Sequence, residues 1–178
     1  MMCVLPVRQV RGSNAVVMQD VFLFSDTIAE NIKMGKRAAM PLEDIQKASA
    51  FAQARDFIED LENEYDTVIG ERGVGLSGGQ KQRISIARAV SKHAPILVMD
   101  DSTSALDMET EREIQKELEQ LEETTKIIIA HRISAVRHAD EIIYLENGRI
   151  AERGTHEELL AKKGLYYDTY VVQYGCSI

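Results

Sequence analysis

The chain has 178 residues, 44% of them hydrophobic, and 21 Lys and Arg set against 29 Asp and Glu give a formal charge of −8. That length and apolar content suit one domain with a sizeable core, while the acidic balance argues against coating nucleic-acid phosphates or holding an anionic membrane surface by itself. The longest apolar runs, Ile96–Met99 and Ile127–Ala130, are strand-sized and fall far short of the roughly 20 residues needed to span a bilayer.

Met1 to Val10 holds one Arg and no long apolar stretch, so it does not read as a signal peptide. Cys3 and Cys176 lie near opposite ends without zinc or redox spacing, and two reduced thiols of a cytoplasmic protein are expected. Beyond the start, short β-branched runs alternate with helical segments. That pattern predicts an α/β fold with a largely parallel sheet covered by helices.

Ala15 to Met18 reads as a short buried strand. From Phe22 to Val74 the strands drop out, which suggests a helical subdomain inserted into the sheet domain. Within it, Pro41 to Leu61 is predicted helical, with Pro41 at the start and Ile45, Ala48 and Ala52 on one face. Gly70, Gly73 and Gly75 mark a loop, and Gly79 to Ser91 is the next helix. After Pro95, Ile96 to Asp100 reads as a buried strand that ends in charge.

Asp107 to Glu123 is expected to be a charged, exposed helix, Lys126 to Ala130 another buried strand, and Ile133 to His138 a short helix. Glu141–Leu145 and Arg149–Glu152 flank Asn147-Gly148, a hairpin signal. Thr155 with Glu158 has the capping-box spacing that opens the last helices.

Several of these junctions carry residues suited to phosphate chemistry. In Leu76-Ser77-Gly78-Gly79-Gln80, Ser77 and Gln80 can cap a helix while the two glycines leave its first amides bare. Such an end, with its positive dipole, is an anion site. An ordinary Ser-capped helix accounts for these five residues equally well. Asp100 and Asp101 sit at the end of an apolar strand, where open α/β sheets bind ligands and a carboxylate can hold Mg²⁺ through water. A solvated Asp pair is the alternative. His131 follows the next strand, where it can donate to a phosphate or be only a loop residue. Gln19, after the first strand, can orient water or a metal-bound water but is uninformative alone.

The order Gln19, Leu76 to Gln80, Asp100-Asp101, Ser104-Ala105-Leu106-Asp107, His131 resembles the ATP-binding cassette ATPases from about Ala15 to Tyr174. By that resemblance Gln19 matches the Q-loop and Leu76 to Gln80 the signature motif. Asp100 matches the Walker B aspartate, Ser104 to Asp107 the D-loop, and His131 the switch histidine. The resemblance implies a RecA-like core of the P-loop NTPase kind. Residues 14–21 would form the Q-loop strand, 22–75 the helical subdomain, and 76–178 the signature helix and the rest of the core. Asp20 to Ile32, Gly70-Glu71-Arg72-Gly73 and Gly154 to Leu159 are similar to the exporter branch.

The implied cofactors are ATP and Mg²⁺. Ser77, Gly78, Gly79, Gln80 and Asp107 would face nucleotide; Asp100 and Gln19 would serve the metal; Asp101, His131 and Gln19 would be catalytic. The implied partners are a second nucleotide-binding domain and the transmembrane domains of an exporter, with no nucleic acid. The implied location is the cytoplasmic face of the cell membrane.

The sequence departs from the family in two places. No G-x-x-x-x-G-K-[ST] occurs, because Gly35-Lys36 is followed by Arg37. A cassette that lacks its phosphate-binding loop is therefore expected, as from a truncated gene, and unable to bind ATP productively by itself. Position 101 is Asp where the family usually has a catalytic Glu; one methylene shorter, its carboxylate would stop more than ~1 Å short of the attacking water, a displacement that can cost on the order of a hundredfold in rate.

Overall fold

The computed structural model describes residues 6–35, 40–70, 73 and 75–175. Cys3, Cys176, Lys36-Arg37 and Glu71-Arg72 lie outside the described residues. The chain divides into two compact units, one reaching to Ile129 and one running from Ala130 onward.

The first unit is built on a parallel sheet of β1 (Asn14–Val17), β2 (Ile96–Asp100) and β3 (Thr125–Ile129), in the order β1-β2-β3. A helix, α1 (Val7–Ser13), leads into it. Ala15, Val17, Leu97 and Met99 form the buried face. On the other face Val16 is 52% exposed, Ile127 48% and Ile129 52%. All three strands were expected to be buried. Consecutive apolar residues do not distinguish a strand covered on one side from one covered on both.

α5 (Gly78–Val90) is the central helix, packed on β1 and against α2 (Ile28–Lys33) and α3 (Leu42–Phe51). Ile84 and Ile86, on opposite faces of this helix, are both fully buried, each stabilising the unit by about 1.5–3 kcal/mol. α2 starts at Thr27, whose side chain accepts the Glu30 amide. Its Asn31, fully buried, bonds back to Phe24 and Thr27.

The single helix predicted over Pro41–Leu61 is two, α3 and α4 (Arg55–Glu59). Between them Gln53 adopts a left-handed φ of 54°, and Ala52 and Ala54 are wholly buried. Arg83 of α5 donates to the Gln53 carbonyl at 2.6 Å and lays its guanidinium 4.6 Å from the Phe57 ring centre. This tertiary grip overrides local helix propensity.

α6 (Met108–Glu119) was expected to be exposed throughout, but Glu111, Ile114 and Leu118 face inward. The Glu111 carboxylate accepts the Thr103 hydroxyl at 3.1 Å, as a buried acid requires a partner.

In the second unit the predicted short helix is a 3-10 turn, Ile133–Ala135. β4 (Ile142–Glu146) and β5 (Arg149–Gly154) form the antiparallel hairpin expected around Asn147-Gly148, both of which have positive φ. α7 (His156–Lys162) carries the Thr155–Glu158 capping box, and α8 (Leu165–Tyr174) follows. The Glu152 carboxylate of β5 caps α8 by accepting the Leu165 and Tyr166 amides at 2.8 and 3.0 Å. Ile133, Ile142, Leu159 and Tyr166 make the small core. Burial pushes the Tyr166 hydroxyl up to about 12, and it pairs with His156 Nδ1 at 2.7 Å.

Candidate functional site

At the start of α5 the Ser77 hydroxyl accepts the Gln80 amide at 3.2 Å, and the Gln80 side-chain oxygen accepts the Ser77 amide at 2.9 Å. This reciprocal box fixes the first turn and leaves the Gly78 and Gly79 amides unused by the cap. Ser77 and Gly78 are exposed, and no acidic residue lies in the first turn. The positive end of the helix dipole therefore meets solvent without a counter-charge from its own helix.

The loop after β2 packs against this end. The Ala105 amide donates to Oε1 of buried Gln82 at 3.1 Å. A Cβ on Gly79 would sit 3.2 Å from the Ala105 carbonyl oxygen, tighter than most real contacts. Further along, Asp107 caps α6: Oδ1 accepts the Glu109 and Thr110 amides and Oδ2 the Thr110 hydroxyl. These bonds, the Thr110 amide foremost, hold the Asp107 carboxyl below its ordinary value.

Gln19 and Asp101 meet because the sheet register carries them there. Val17 pairs with Met99 in parallel strands, so the residues two further along emerge side by side. Gln19 Nε2 lies 3.5 Å from Asp101 Oδ2. Asp101 has a left-handed φ of 42°. Its amide donates to the Ile129 carbonyl at 2.8 Å, and its own carbonyl accepts the Ser104 amide and hydroxyl. Asp100, the last residue of β2, pairs with Ile129 and is partly exposed.

The first unit thus gathers Gln19, Asp100 and Asp101 at one sheet edge, and Ser77 to Gln80 at a helix start braced by Ala105. His131 belongs to the second unit, where its carbonyl accepts the Gln173 side-chain amide at 2.6 Å. The sequence reading missed Gln82, Arg88 and Gln173. Each is a polar residue on a helix, with no local signal that its partner lies far along the chain.

Among the described residues no cluster of three or more His, Cys, Asp and Glu could hold a metal. The strand-end carboxylate of Asp100, next in the chain to the Asp101 that Gln19 approaches, fits Mg²⁺, which keeps most of its water and binds through one or two carboxylates and substrate phosphates. The bare, glycine-lined helix start fits a phosphate. No helix among the described residues is long and apolar enough to cross a membrane.

The ABC transporter family model matches residues 5–104, and the chain belongs to that family. It is 52% identical over 168 residues, 94% of this chain, to an uncharacterized ABC transporter ATP-binding protein of Bacillus subtilis, and covers 28% of that protein. An ATP-dependent lipid A-core flippase of Sodalis glossinidius is 50% identical over 93% of this chain, again with 28% of the relative covered. The structure of a bacterial Atm1-family ABC exporter with ATP bound superposes with a TM-score of 0.90 at 42% identity, over 94% of this chain and 30% of that one. The chain thus spans less than a third of the length of the relatives it matches. The fold is that of an ABC exporter nucleotide-binding domain.

Proposed function

We propose that these residues belong to the ATP-hydrolysing part of an exporter, working on the cytoplasmic face of a membrane through attached transmembrane domains. The observation that carries the reading is the exposed start of α5, where the capping box leaves the Gly78 and Gly79 amides open to an anion. Two such domains would close head to tail on two ATP molecules. Gly78, Gly79 and the Ser77 hydroxyl would hold the γ-phosphate of the nucleotide bound mainly by the partner, and the helix dipole would add to the attraction.

On the domain's own side, Asp100 and Gln19 would hold Mg²⁺ through water, and His131 would steady the terminal phosphate. Bound Mg²⁺ supplies charge neutralisation of the phosphates. Asp101, fixed by bonds to Ile129 and Ser104, would orient the attacking water, with the Gln19 amide beside it. Asp107 would lie at the interface with the opposite site. The exposed Phe22 and Phe24, packed edge to face at 4.9 Å, would receive the membrane domains.

The hydrolysis reading is tested in the complete exporter by Ser77→Arg, which blocks the anion site with a bulky cation. Turnover should fall at least about tenfold, a loss of roughly 1.4 kcal/mol in transition-state stabilisation; unchanged turnover sinks the reading. We further propose that the 178 residues alone bind ATP unproductively, because this sequence contains no G-x-x-x-x-G-K-[ST] cradle. Calorimetric titration with Mg-ATP should show no micromolar binding, and micromolar binding with turnover would refute that second point.

A further inference from the structure

We propose that Gln173, near the end of α8, is the positioning residue for His131. Its carboxamide bonds the backbone on both sides of Arg132: Nε2 donates to the His131 carbonyl at 2.6 Å, and Oε1 accepts the Ile133 amide at 2.9 Å. Arg132 is extended, with φ −96° and ψ 129°, so the His131 carbonyl and the Ile133 amide face the same way, as they do along a strand. The side chain therefore pairs with this segment as a neighbouring strand would. A carboxamide suits this purpose, because it carries a donor and an acceptor in one plane.

The clamp acts on the main chain of the histidine and leaves its imidazole free to work. A small change in the backbone at His131 or Arg132 swings the ring tip, and misplacement by about 1 Å is enough to matter for phosphoryl chemistry. The helix that carries Gln173 is itself tethered. Glu152 of β5 accepts the first amides of α8, and Thr169 bonds the Tyr144 hydroxyl of β4 at 3.1 Å. His131 is thereby set by the hairpin and the last helix, in addition to the strand that precedes it in the chain.

The proposal rests on the reading of His131 as the γ-phosphate contact, and two measurements keep the two ideas apart. The first uses the 178-residue chain and needs no nucleotide: amide exchange at Ile133. Gln173→Ala should raise it at least about tenfold, by opening a single protecting bond. Gln173→Glu, which keeps the acceptor but loses the donor, should protect Ile133 better than Ala does. Val172→Ala, on the adjacent exposed residue of α8, should leave it alone. Wild-type exchange in Gln173→Ala overturns the clamp.

The second uses the complete exporter. Gln173→Ala should lower kcat by about three- to tenfold with KM little changed, as expected for a geometry lost in the transition state. In a His131→Ala background it should cause no further loss. Additive loss shows that Gln173 does not act through His131 and overturns the positioning role. If His131→Ala alone leaves turnover intact, the γ-phosphate reading falls and takes the catalytic half of the proposal with it, while amide exchange still decides the clamp.

Discussion

Arg88 of α5 and Asn31 of α2 are joined by two hydrogen bonds, Nε to the Asn31 carbonyl and Nη2 to its Oδ1, each 2.8 Å. Nη1 adds the Phe22 carbonyl at 2.9 Å. Burial lowers the Arg88 guanidinium below its usual value, and the oxygens of Phe22 and Asn31 compensate for the lost water. The signature-like helix is in this way tied to the segment that follows Gln19. Arg88→Met should cost about 2–4 kcal/mol by removing the guanidinium from the Phe22 and Asn31 carbonyls and leaving Asn31 Oδ1 with the Phe24 amide alone. Arg88→Lys should recover only part of it, because a point-like ammonium cannot match the guanidinium fork. Urea unfolding measures both; full stability in Arg88→Met would mean that these bonds contribute nothing.

Gly35 closes α2 against the last turn of α5. A Cβ there would lie 1.9 Å from the Arg88 carbonyl oxygen and 2.5 Å from Ser91 Oγ, and the carbonyl belongs to a helix that cannot move aside. Gly35→Ala should therefore destabilise the first unit by about 1–3 kcal/mol, the usual cost of overpacking. Gly12→Ala, with nothing within 4 Å of the added atom, is the control. Equal thermal midpoints for the two variants would contradict the close approach.

Asp101 occupies the position at which a longer carboxylate would reach further toward water. If it belongs to a slow site paired with a faster one in a different subunit, Asp101→Glu in the complete pair should raise turnover. The left-handed φ of 42° is better tolerated by Asp than by most residues, so the variant should also lose a little stability. A measured ATPase rate without any gain removes the slow-site hypothesis.

The Asp107 cap predicts a pH dependence. Its carboxyl titrates lower in the fold than in the unfolded chain, chiefly through the Thr110 amide. The stability it adds is therefore present above the unfolded value and lost as pH falls from about 4 toward the lower folded value. Asp107→Asn keeps an acceptor but cannot titrate. The difference in thermal midpoint between wild type and Asp107→Asn should be constant from neutral pH down to about 5 and shrink below that; a pH-independent difference would rule the cap out as its source.

Among the described residues β1 and β3 each pair on one side only, and Val16, Ile127 and Ile129 leave an apolar face open to solvent. Unpaired edges invite other strands. The 178-residue chain should self-associate at micromolar concentration in sedimentation experiments, and Ile127→Lys should shift it toward monomer. A monodisperse monomer for the unsubstituted chain would count against this.

The features that the sequence revealed are those whose causes are local. Ser77 with Gln80, Thr155 with Glu158 and Asn147-Gly148 each specify a helix start or a turn within four residues, and all three formed as expected. Thr27 with Glu30 has the same spacing at the start of α2, where Thr27 accepts the Glu30 amide. The break at Gln53 has no glycine or proline to mark it. It is held by Arg83, thirty residues away, which no window of local sequence can weigh. Gln19 and Asp101 were placed at strand ends correctly, yet their approach depends on the register of β1 against β2, a property of pairing. Ile127 and Ile129 misled because what covers a strand is decided by other segments.

The grip of Arg83 on the corner between α3 and α4 has a mechanical consequence. A corner with a free backbone would absorb a push on α4 by flexing. This one is bolted through a guanidinium to the shaft of α5, roughly two turns from Ser77. Any displacement of that corner would strain the Arg83 contacts, which lie about 9 Å along the helix axis from Ser77.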